Sequence, residues 1–240
     1  MYFRNMKIAF HTLGCKLNFS ETSFIANDLK NEEIEITNFS DKSDVYVINT
    51  CSVTDNANKE CRQLIRKVKK ISPNSIITIM GCYAQLKPDE LKQIEGVNLV
   101  LGANEKFKLK EYLKKVTNKD SIINVKPIHK IKSFKQSFSE KQRTRTFLKI
   151  QDGCNYKCSF CTIPLARGKS RSDTIQNVKK QIKQLEIKGI KEIVLTGVNI
   201  GDFGINEKNE NFQDLIKEIT KIKTPRIRIS SIEPNLLTDE

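Results

Sequence analysis

Three of the seven cysteines in this 240-residue chain lie within one short stretch, Lys149–Cys161. They follow a C-x3-C-x2-C pattern at Cys154, Cys158 and Cys161, shortly after an apolar run at Phe147–Ile150 that predicts a strand. A loop with three thiolates at this spacing can surround a single metal centre. An iron–sulfur cluster usually takes four cysteines, so this loop would leave one iron open to another ligand.

Zinc is the alternative metal for such a loop. Structural zinc sites usually combine one C-x2-C pair with a second pair of cysteine or histidine ligands. No second pair follows this loop, and His11 and His129 have no partner at zinc-ligand spacing. The pattern therefore favours a [4Fe–4S] cluster with one open iron.

The first 125 residues alternate apolar, strand-like runs with helical patterns. The expected strands cover residues 8–13, 44–48, 76–80 and 97–101, and the expected helices cover 20–30, 54–71, 88–94 and 104–116. Ser20 and Asn104 belong to the residue types that cap helix N-termini, so we expect them to cap the first and last of these helices. Strands that alternate with helices are typical of a parallel α/β sheet.

The alternation stops over residues 124–145 and then resumes. This segment lacks clear periodicity and is rich in Lys and Ser, so we interpret it as a linker. Beyond it, expected strands at 146–150, 192–196 and 226–231 alternate with expected helices at 174–187 and 212–222. The sequence therefore predicts two successive α/β units, and the second unit opens on the cysteine loop.

Three further cysteines lie at the ends of apolar runs in the first unit. Cys15, Cys51 and Cys82 follow the first, second and third expected strands. Because the strands of a parallel sheet point the same way, these thiols should meet at the edge where open α/β folds place their ligands. They could hold a second cluster, again with one iron lacking a protein ligand; alternatively, they are buried small apolar residues. Cys61 lies on the apolar stripe of its helix, and there we expect core packing.

The net charge of +14 is concentrated in one segment. Residues 126–172 hold twelve basic and two acidic side chains, whereas residues 173–240 hold eleven of each. A basic segment that runs into the cysteine loop indicates a polyanionic partner such as nucleic acid. The alternative is a solvated basic surface in a lysine-rich chain, and this also fits the basic face of the helix expected at 54–71.

Composition also limits where the chain can act. No run of about 18 apolar residues is present, so we expect no contact with a membrane through a spanning helix. Residues 1–10 lack the apolar core and the cleavage site of a secretory signal. An odd number of cysteines in a chain of this length favours a reducing compartment, so we expect a cytoplasmic protein.

Six motifs, in order along the chain, resemble those of the radical S-adenosylmethionine (SAM) methylthiotransferases. They are Thr12-Leu-Gly-Cys-Lys-Leu-Asn18 with Glu21-Thr22, Asn49-Thr-Cys-Ser-Val-Thr54, Gly81-Cys-Tyr-Ala-Gln85, Lys149-Ile-Gln-Asp-Gly-Cys154, Ile163-Pro-Leu-Ala-Arg-Gly168 and Thr196-Gly-Val-Asn-Ile-Gly201. The chain looks most like the group that modifies threonylcarbamoyladenosine in tRNA.

The resemblance implies an α/β fold in two parts. An N-terminal parallel-sheet α/β methylthiotransferase domain would cover residues 1–123, a basic linker would cover 124–145, and a radical SAM β/α barrel would begin at residue 146. Family members have six β/α steps in the barrel and a small C-terminal RNA-binding β-domain. Residues 146–240 account for three steps, roughly half of a barrel, so we expect this sequence to be a fragment or the product of a truncated gene.

The resemblance also implies two [4Fe–4S] clusters and SAM. Cys154, Cys158 and Cys161 would hold the radical SAM cluster, whose open iron binds SAM and whose electron releases a 5′-deoxyadenosyl radical from it. An auxiliary cluster that carries or delivers sulfur would be held by Cys15, Cys51 and Cys82. The product would be the 2-methylthio derivative of N6-threonylcarbamoyladenosine beside the tRNA anticodon. The sequence identifies neither the electron donor nor the sulfur donor.

Further site residues follow from the same resemblance. The residues implied to contact SAM are Phe160, Gly197, Val198, Asn199, Arg228 and Ser230. The residues implied to contact RNA phosphate are Arg143, Arg145, Arg167 and Arg171. Taken alone, Gly197 could be an ordinary turn glycine, and Arg228 could lie on the polar face of a strand.

Other functions are also compatible with these residues. Relatives that act on isopentenyladenosine in tRNA or on a ribosomal protein share the same arrangement of cysteines. A non-enzymatic iron–sulfur module could bind RNA through residues 126–172, and a redox protein would need only the clusters.

Overall fold

The computed structural model describes residues 5–30, 34–51, 55–139, 145–205, 210–222 and 225–237. The first unit contains β1 (Lys7–Thr12), α1 (Lys16–Lys30), β2 (Glu35–Thr37), β3 (Val45–Thr50), α2 (Asp55–Ile71), β4 (Ile76–Gly81), α3 (Cys82–Leu86), α4 (Pro88–Lys92), β5 (Val97–Leu101), α5 (Leu109–Leu113) and β6 (Ile122–Asn124). No helix in the described ranges is long and apolar enough to cross a membrane.

The six strands of the first unit form one parallel sheet in the order β2-β1-β3-β4-β5-β6. Every residue of β3, the third strand in that order, is buried, as expected for a strand covered on both faces. Helices α2 and α4 pack on one face of the sheet, and α1 and α5 pack on the other. The predicted parallel α/β unit is therefore confirmed.

Two expected helix starts differ from the structure. Helix α1 begins at Lys16, so Ser20 lies inside it rather than at its N-cap; the Ser20 hydroxyl is buried and donates to the Leu17 carbonyl at 2.9 Å. Asn104 makes no capping hydrogen bond from its side chain, and a 3-10 turn at Glu105–Lys108 precedes α5. Strands β2 and β6 were not predicted, because each has only three residues and carries no apolar run.

The second unit contains β7 (Ser137–Phe138), β8 (Thr146–Lys149), β9 (Gln151–Asp152), α6 (Ile163–Arg167), β10 (Arg171–Ser172), α7 (Ile175–Ile187), β11 (Glu192–Thr196), α8 (Phe212–Thr220) and β12 (Arg226–Ile229). Its main sheet has the order β12-β11-β8-β7, with β8, β11 and β12 parallel and β7 antiparallel to β8. Helices α7 and α8 supply apolar side chains to its core. This parallel α/β arrangement confirms the predicted fold class of the second unit.

The segment expected to be a linker supplies part of both units. Asn124 ends the first sheet, and Ser137 with Phe138 forms β7 of the second sheet. Between these strands four lysines are exposed, at Lys126, Lys130, Lys132 and Lys135. Residues 140–144 lie outside the described residues.

Helix α1 is shared by the two units. Its apolar side chains, among them Ile25 and Leu29, pack on the first sheet. Its other side packs against β7 and β8, where Phe19 meets Phe147 edge to face at 5.8 Å between ring centroids. A helix buried on two sides explains why several polar residues of α1 are buried.

The carboxyl ends of β1, β3 and β4 are neighbours in the first sheet, and each leads into a cysteine. Gly81 makes the last of these turns with φ 99° and ψ −156°, a conformation that is essentially restricted to glycine. A Cβ at Gly81 would lie 2.5 Å from the Thr50 carbonyl oxygen. Gly81 therefore lets β4 pass directly into α3, whose first residue is Cys82.

Gly81→Ala should destabilise the first unit more than an alanine at an unobstructed glycine with positive φ. Gly189 is the matched control, since its φ is +78° and nothing lies within 4 Å of a Cβ built there. Gly189→Ala should cost about 1–2 kcal/mol of backbone strain, and Gly81→Ala about 2–5 kcal/mol because a steric clash is added. Chemical denaturation of both variants measures the difference; equal losses would show that Gly81 is not sterically confined.

Candidate metal centres and the buried charges between them

The first cysteine set consists of Cys15, Cys51 and Cys82, and it lies at the carboxyl edge of the first sheet. Cys15 is exposed, Cys51 is half-buried and Cys82 is buried, and all three are free thiols. Gly14 has φ +90°, and a Cβ at this position would lie 2.8 Å from Cys51 Sγ. The absence of a side chain at Gly14 thus lets the loop that carries Cys15 lie directly against the Cys51 thiol.

The charges around Cys82 link the three thiols to the second unit. Burial raises the pKa of the Cys82 thiol, while the nearby cations Arg167 and Lys106 act in the opposite direction. Negative charge on Cys15 and Cys51 would raise the Cys82 pKa further. The three cysteines and two buried cations therefore share one electrostatic environment, which could support thiolates.

Within the described ranges no three Cys, His, Asp or Glu side chains are placed to hold one metal ion. The cysteines of a [4Fe–4S] cluster bind different iron atoms, so they need not converge on one point as the ligands of a single ion do. Three free thiols at one edge of the sheet are therefore compatible with a cluster.

The second cysteine set, Cys154, Cys158 and Cys161, lies on the loop after β9. The base of this loop is closed by the antiparallel pair β9–β10 and by the Cys154 N–H, which donates to the Gly168 carbonyl at 3.0 Å. Gly153, with φ +74°, lies so close to the backbone of 168–169 that a Cβ would be 2.6 Å from the Gly168 oxygen. The loop is therefore anchored at its base.

The outer part of this loop faces solvent. Cys158 is exposed, Cys154 and Cys161 are half-buried, and Phe160 is 89% exposed. Burial raises the pKa of the Cys154 thiol, and the charges of Asp202 and of the other two cysteines would raise it as well. The three thiols of the second set thus lie near each other on an accessible loop, as a site for a cluster and an exchangeable ligand requires.

A buried ion network centred on Glu21 lies between the two cysteine sets. The Glu21 carboxylate, on α1, is fully buried and accepts from Lys106 Nζ at 2.6 Å and from Lys149 Nζ at 2.8 Å. It also accepts from both terminal nitrogens of Arg167, at 3.3 and 3.2 Å. Lys106 belongs to the first unit, whereas Lys149 and Arg167 flank the second cysteine set.

Asp152 is the second carboxylate of the network, and it lies two residues before Cys154. It pairs with Lys149 Nζ at 2.8 Å and with Arg167 at 2.9 Å. Arg171 pairs with the same carboxylate at 3.0 Å. Glu21, Asp152, Lys106, Lys149 and Arg167 are hereafter called the Glu21 network, and each of them is at most 4% exposed.

The cations of the Glu21 network keep its carboxylates ionised. Burial opposes ionisation of Glu21, but Arg167, Lys106 and Lys149 outweigh it and hold the pKa of Glu21 well below its usual range. Burial likewise opposes ionisation of Asp152, and Lys149, Arg167 and Arg171 hold its pKa low. Burial lowers the pKa of Lys106, an effect that Glu21 opposes.

Asn18 connects the Glu21 network to the first cysteine set. Its side-chain oxygen accepts from Arg167 at 2.6 Å, and its amide nitrogen donates to the Leu13 carbonyl at 3.0 Å and to the Thr50 carbonyl at 2.9 Å. Leu13 precedes Cys15 by two residues, and Thr50 directly precedes Cys51. Asn18 thus links Arg167 to two of the three loops that carry the first set.

The predicted RNA contact of Arg167 is wrong, because its guanidinium is 3% exposed and is occupied by Glu21, Asp152 and Asn18. Arg171 also points inward; it donates to the Arg167 carbonyl at 2.6 Å and pairs with Asp152.

Arg145 and Arg143 are the other two residues that were predicted to contact RNA. Arg145 is half-buried, with its guanidinium 5.8 Å from the centre of the Phe147 ring. Arg143 lies outside the described residues. Exposed lysines, at 126–135 and also at Lys157 and Lys169, are therefore accessible basic groups of this segment.

Gly197, Val198 and Asn199 form the turn after β11, beside the base of the cysteine loop. The buried Gln151 side chain fixes this turn, since its oxygen accepts from Val198 N–H at 2.8 Å and from Asn199 N–H at 3.1 Å. Its amide nitrogen donates to the Gly153 carbonyl at 2.8 Å. Gln151 therefore holds the turn at 197–199 against the residue before Cys154, and the SAM contact predicted for this turn stays a prediction.

Arg228 and Ser230 are placed differently. Arg228 pairs with Glu192 at 3.3 Å, near the amino end of β11. The cysteine loop follows the carboxyl end of β8, which runs parallel to β11, so this ion pair lies away from the loop. Ser230 is nearly buried and donates to the Leu195 carbonyl at 2.9 Å. Their predicted contacts with SAM stay predictions.

Cys61 is the seventh cysteine, and the structure confirms the expected core packing. It is fully buried on α2 against the first sheet, and burial raises its pKa to about 12. A thiol that resists ionisation in this way is a poor metal ligand.

The sequence motifs contained Asn18, Glu21, Lys149 and Asp152, but their role in the Glu21 network was not predicted. One signal was available in the sequence: Lys149 is a charged residue within the apolar run at Phe147–Ile150.

Comparison with known proteins relates both units to described families. Residues 7–102 match the family described as "Uncharacterized protein family UPF0004", and residues 148–240 match the "Radical SAM superfamily". The threonylcarbamoyladenosine tRNA methylthiotransferase MtaB of Bacillus subtilis is 43% identical over 97% of this chain and 53% of its own length. The chain therefore matches the radical SAM superfamily over its second unit and is similar to a tRNA methylthiotransferase over nearly its whole length.

Another relative and a solved structure are also similar to this chain. A tRNA-2-methylthio-N(6)-dimethylallyladenosine synthase of Clostridium novyi is 32% identical over 98% of this chain and 54% of its own length. The radical SAM methyltransferase TsrM of Kitasatospora setae, solved with cobalamin and a [4Fe–4S] cluster, superposes with a TM-score of 0.55 at 13% identity, over 90% of this chain and 52% of TsrM. At that identity the likeness concerns the fold alone. The chain spans about half the length of the curated relatives it matches.

Glu21→Gln should strongly destabilise the protein, because it leaves three buried cations with one carboxylate fewer. Removing one partner of a buried ion pair typically costs about 3–5 kcal/mol. The control is Glu35→Gln, since Glu35 forms an exposed pair with Lys7 at 3.8 Å and its loss should cost less than about 1 kcal/mol. Chemical denaturation at pH 7 measures both losses.

The difference in stability between the wild type and Glu21→Gln should depend on pH. The pKa of Glu21 is lowered by folding, so its contribution is present above its usual pKa of 4.5 and is lost as the pH falls below it. The difference in free energy of unfolding between wild type and Glu21→Gln should therefore narrow below about pH 4.5. A difference that stays constant down to the acid limit would contradict the role of the ionised carboxylate.

Proposed function

We propose that this chain carries the cluster-binding part of a tRNA methylthiotransferase that converts N6-threonylcarbamoyladenosine beside the anticodon to its 2-methylthio derivative. The observation that carries the proposal is the pair of cysteine sets, each at the carboxyl edge of a parallel sheet and both tied to the Glu21 network. Support for the substrate comes from the named activity of relatives such as the Bacillus subtilis protein, which is 43% identical.

Two [4Fe–4S] clusters and SAM are the cofactors of this proposal. Cys154, Cys158 and Cys161 would hold the cluster that binds SAM, and the first set would hold the cluster at which sulfur is transferred. When bound, the cluster and SAM together supply a carbon-centred radical able to abstract hydrogen from the adenosine ring. The exposed loop of the second set, and the position of the first set at one edge of the sheet, both support this assignment.

The protein's own contribution is binding and orientation. Gln151 holds the turn at 197–199 against the base of the cysteine loop. Phe160, being almost fully exposed, offers an apolar surface next to Cys161. The exposed lysines at 126–135 would contact tRNA phosphate in place of Arg167, and the flexible anticodon loop can present an unstacked base at little cost.

A second candidate substrate is isopentenyladenosine in tRNA. The Clostridium novyi relative named for the dimethylallyladenosine reaction is 32% identical, lower than the 43% of the Bacillus subtilis protein, which favours the threonylcarbamoyl substrate. The site is proposed to act in the cytoplasm, where tRNA and reduced thiols are both present.

Anaerobic reconstitution with iron and sulfide tests the reaction class. With SAM and a strong reductant, the wild-type chain should release 5′-deoxyadenosine, measured by chromatography. Cys158→Ala should abolish this cleavage, whereas Cys51→Ala should retain most of it but stop sulfur transfer. Cys61→Ala is the matched control and should retain both activities, because Cys61 packs in the core.

Mass spectrometry of tRNA nucleosides tests the substrate. Expression in a strain that lacks its own methylthiotransferases should produce the methylthio form of threonylcarbamoyladenosine and not that of isopentenyladenosine. If only isopentenyladenosine is modified, isopentenyladenosine in tRNA is the substrate.

The reconstitution has a separate contradicting outcome. If the cysteine sites fill with zinc and SAM is not cleaved, the radical reaction is excluded for this chain.

A further inference from the structure

The Glu21 network contains more cations than anions. Three of its members are cationic (Lys106, Lys149 and Arg167), and two are carboxylates. Arg171, whose side chain is 12% exposed, adds a fourth cation at its edge. Glu105 is also buried, but among the described residues its carboxylate forms no ion pair or hydrogen bond with these cations. An uncompensated buried charge is unfavourable unless an anion lies beside it.

The first cysteine set lies directly beside this excess charge. Helix α6 ends at Arg167 and packs against α3, which begins at the buried Cys82. Arg167 also reaches, through Asn18, the backbone just before Cys15 and Cys51. With three cysteine thiolates a [4Fe–4S] cluster is anionic, so it is the kind of group that the excess charge would favour.

We propose that Arg167, supplied by the second unit, is an electrostatic positioning residue for the cluster held by Cys15, Cys51 and Cys82, and that the Glu21 network raises the reduction potential of this cluster. The inference rests on the proposed function, since it requires the first set to hold a cluster. Reduction adds one negative charge to the cluster, and a nearby buried cation stabilises the reduced form more than the oxidised form.

Arg167 belongs to the second unit, and this has a second consequence for the cluster at the first cysteine set. Arg167 follows Cys161 by six residues and belongs to the same segment as the second cysteine set, yet its guanidinium lies in the first unit's environment. Docking of the two units therefore completes the electrostatic environment of the first set. A first unit without the second would hold its cluster at a lower potential.

Two substitutions at Arg167 separate charge from packing. Arg167→Lys keeps the positive charge and loses the forked hydrogen bonds, whereas Arg167→Gln loses the charge and leaves Lys106 and Lys149 balanced against the two carboxylates. Lys106→Met removes a cation from the other unit, and Lys92→Gln, on the exposed part of α4, is the surface control. All are made in the full chain with the second cysteine set replaced by alanine, so that only the first cluster is titrated.

Redox titration followed by electron paramagnetic resonance gives the reduction potential of that cluster. Arg167→Gln and Lys106→Met should both lower it, whereas Arg167→Lys and Lys92→Gln should leave it near the wild-type value. If Arg167→Lys and Arg167→Gln shift the potential equally, or neither shifts it, the electrostatic role is refuted. If the parent protein binds no iron at the first set, the two-cluster part of the proposed function fails instead, and iron content distinguishes that outcome.

Discussion

The structure depends on one buried carboxylate. Glu21 accepts hydrogen bonds from Lys106, Lys149 and Arg167, which come from three separate elements, and two of these elements belong to the second unit. A carboxylate buried this completely is tolerated only when cations and hydrogen bonds replace its lost hydration. These ion pairs therefore fix the positions of the two units relative to each other, and the two cysteine sets lie at the junction between the two sheets.

This constraint explains why polar residues close to the cysteines in sequence are buried, although two of the cysteines are exposed. Asn18 and Asp152 lie close to the cysteines in sequence, and both are nearly or fully buried beneath them. Cys15 and Cys158 face outward. A rigid, charged base under exposed thiols suits a site that must hold a cluster and also admit a substrate.

Much of the fold could be predicted from periodicity, because strands such as β5 and β11 are mostly apolar and helices such as α7 carry an apolar stripe. Cysteines placed after strands predicted the first set, since parallel strands share one carboxyl edge. The Glu21 network could not be predicted in this way. Glu21 and Arg167 are 146 residues apart, and no local pattern shows which distant cation a carboxylate will meet.

Because no local pattern shows which distant residue a side chain will meet, the predictions for Arg167 and Ser20 were wrong. The resemblance implied that Arg167 contacts RNA, but a motif match does not distinguish an exposed guanidinium from one that pairs with buried carboxylates. Ser20 was expected to cap α1 because its residue type favours that role. The helix instead starts four residues earlier, and Ser20 faces β7, with its hydroxyl 3.1 Å from that of Ser137.

The central claim is that the two cysteine sets form two separate cluster sites on either side of the Glu21 network. The most direct test is the iron and sulfide content of the reconstituted chain, together with Mössbauer spectra, for the wild type and for two variants in which one set at a time is replaced by alanine. The account predicts about eight iron atoms per wild-type chain and about four in each variant, all as [4Fe–4S] clusters. About four iron atoms in the wild type, with none left after loss of either set, would contradict it by showing one cluster shared between the sets.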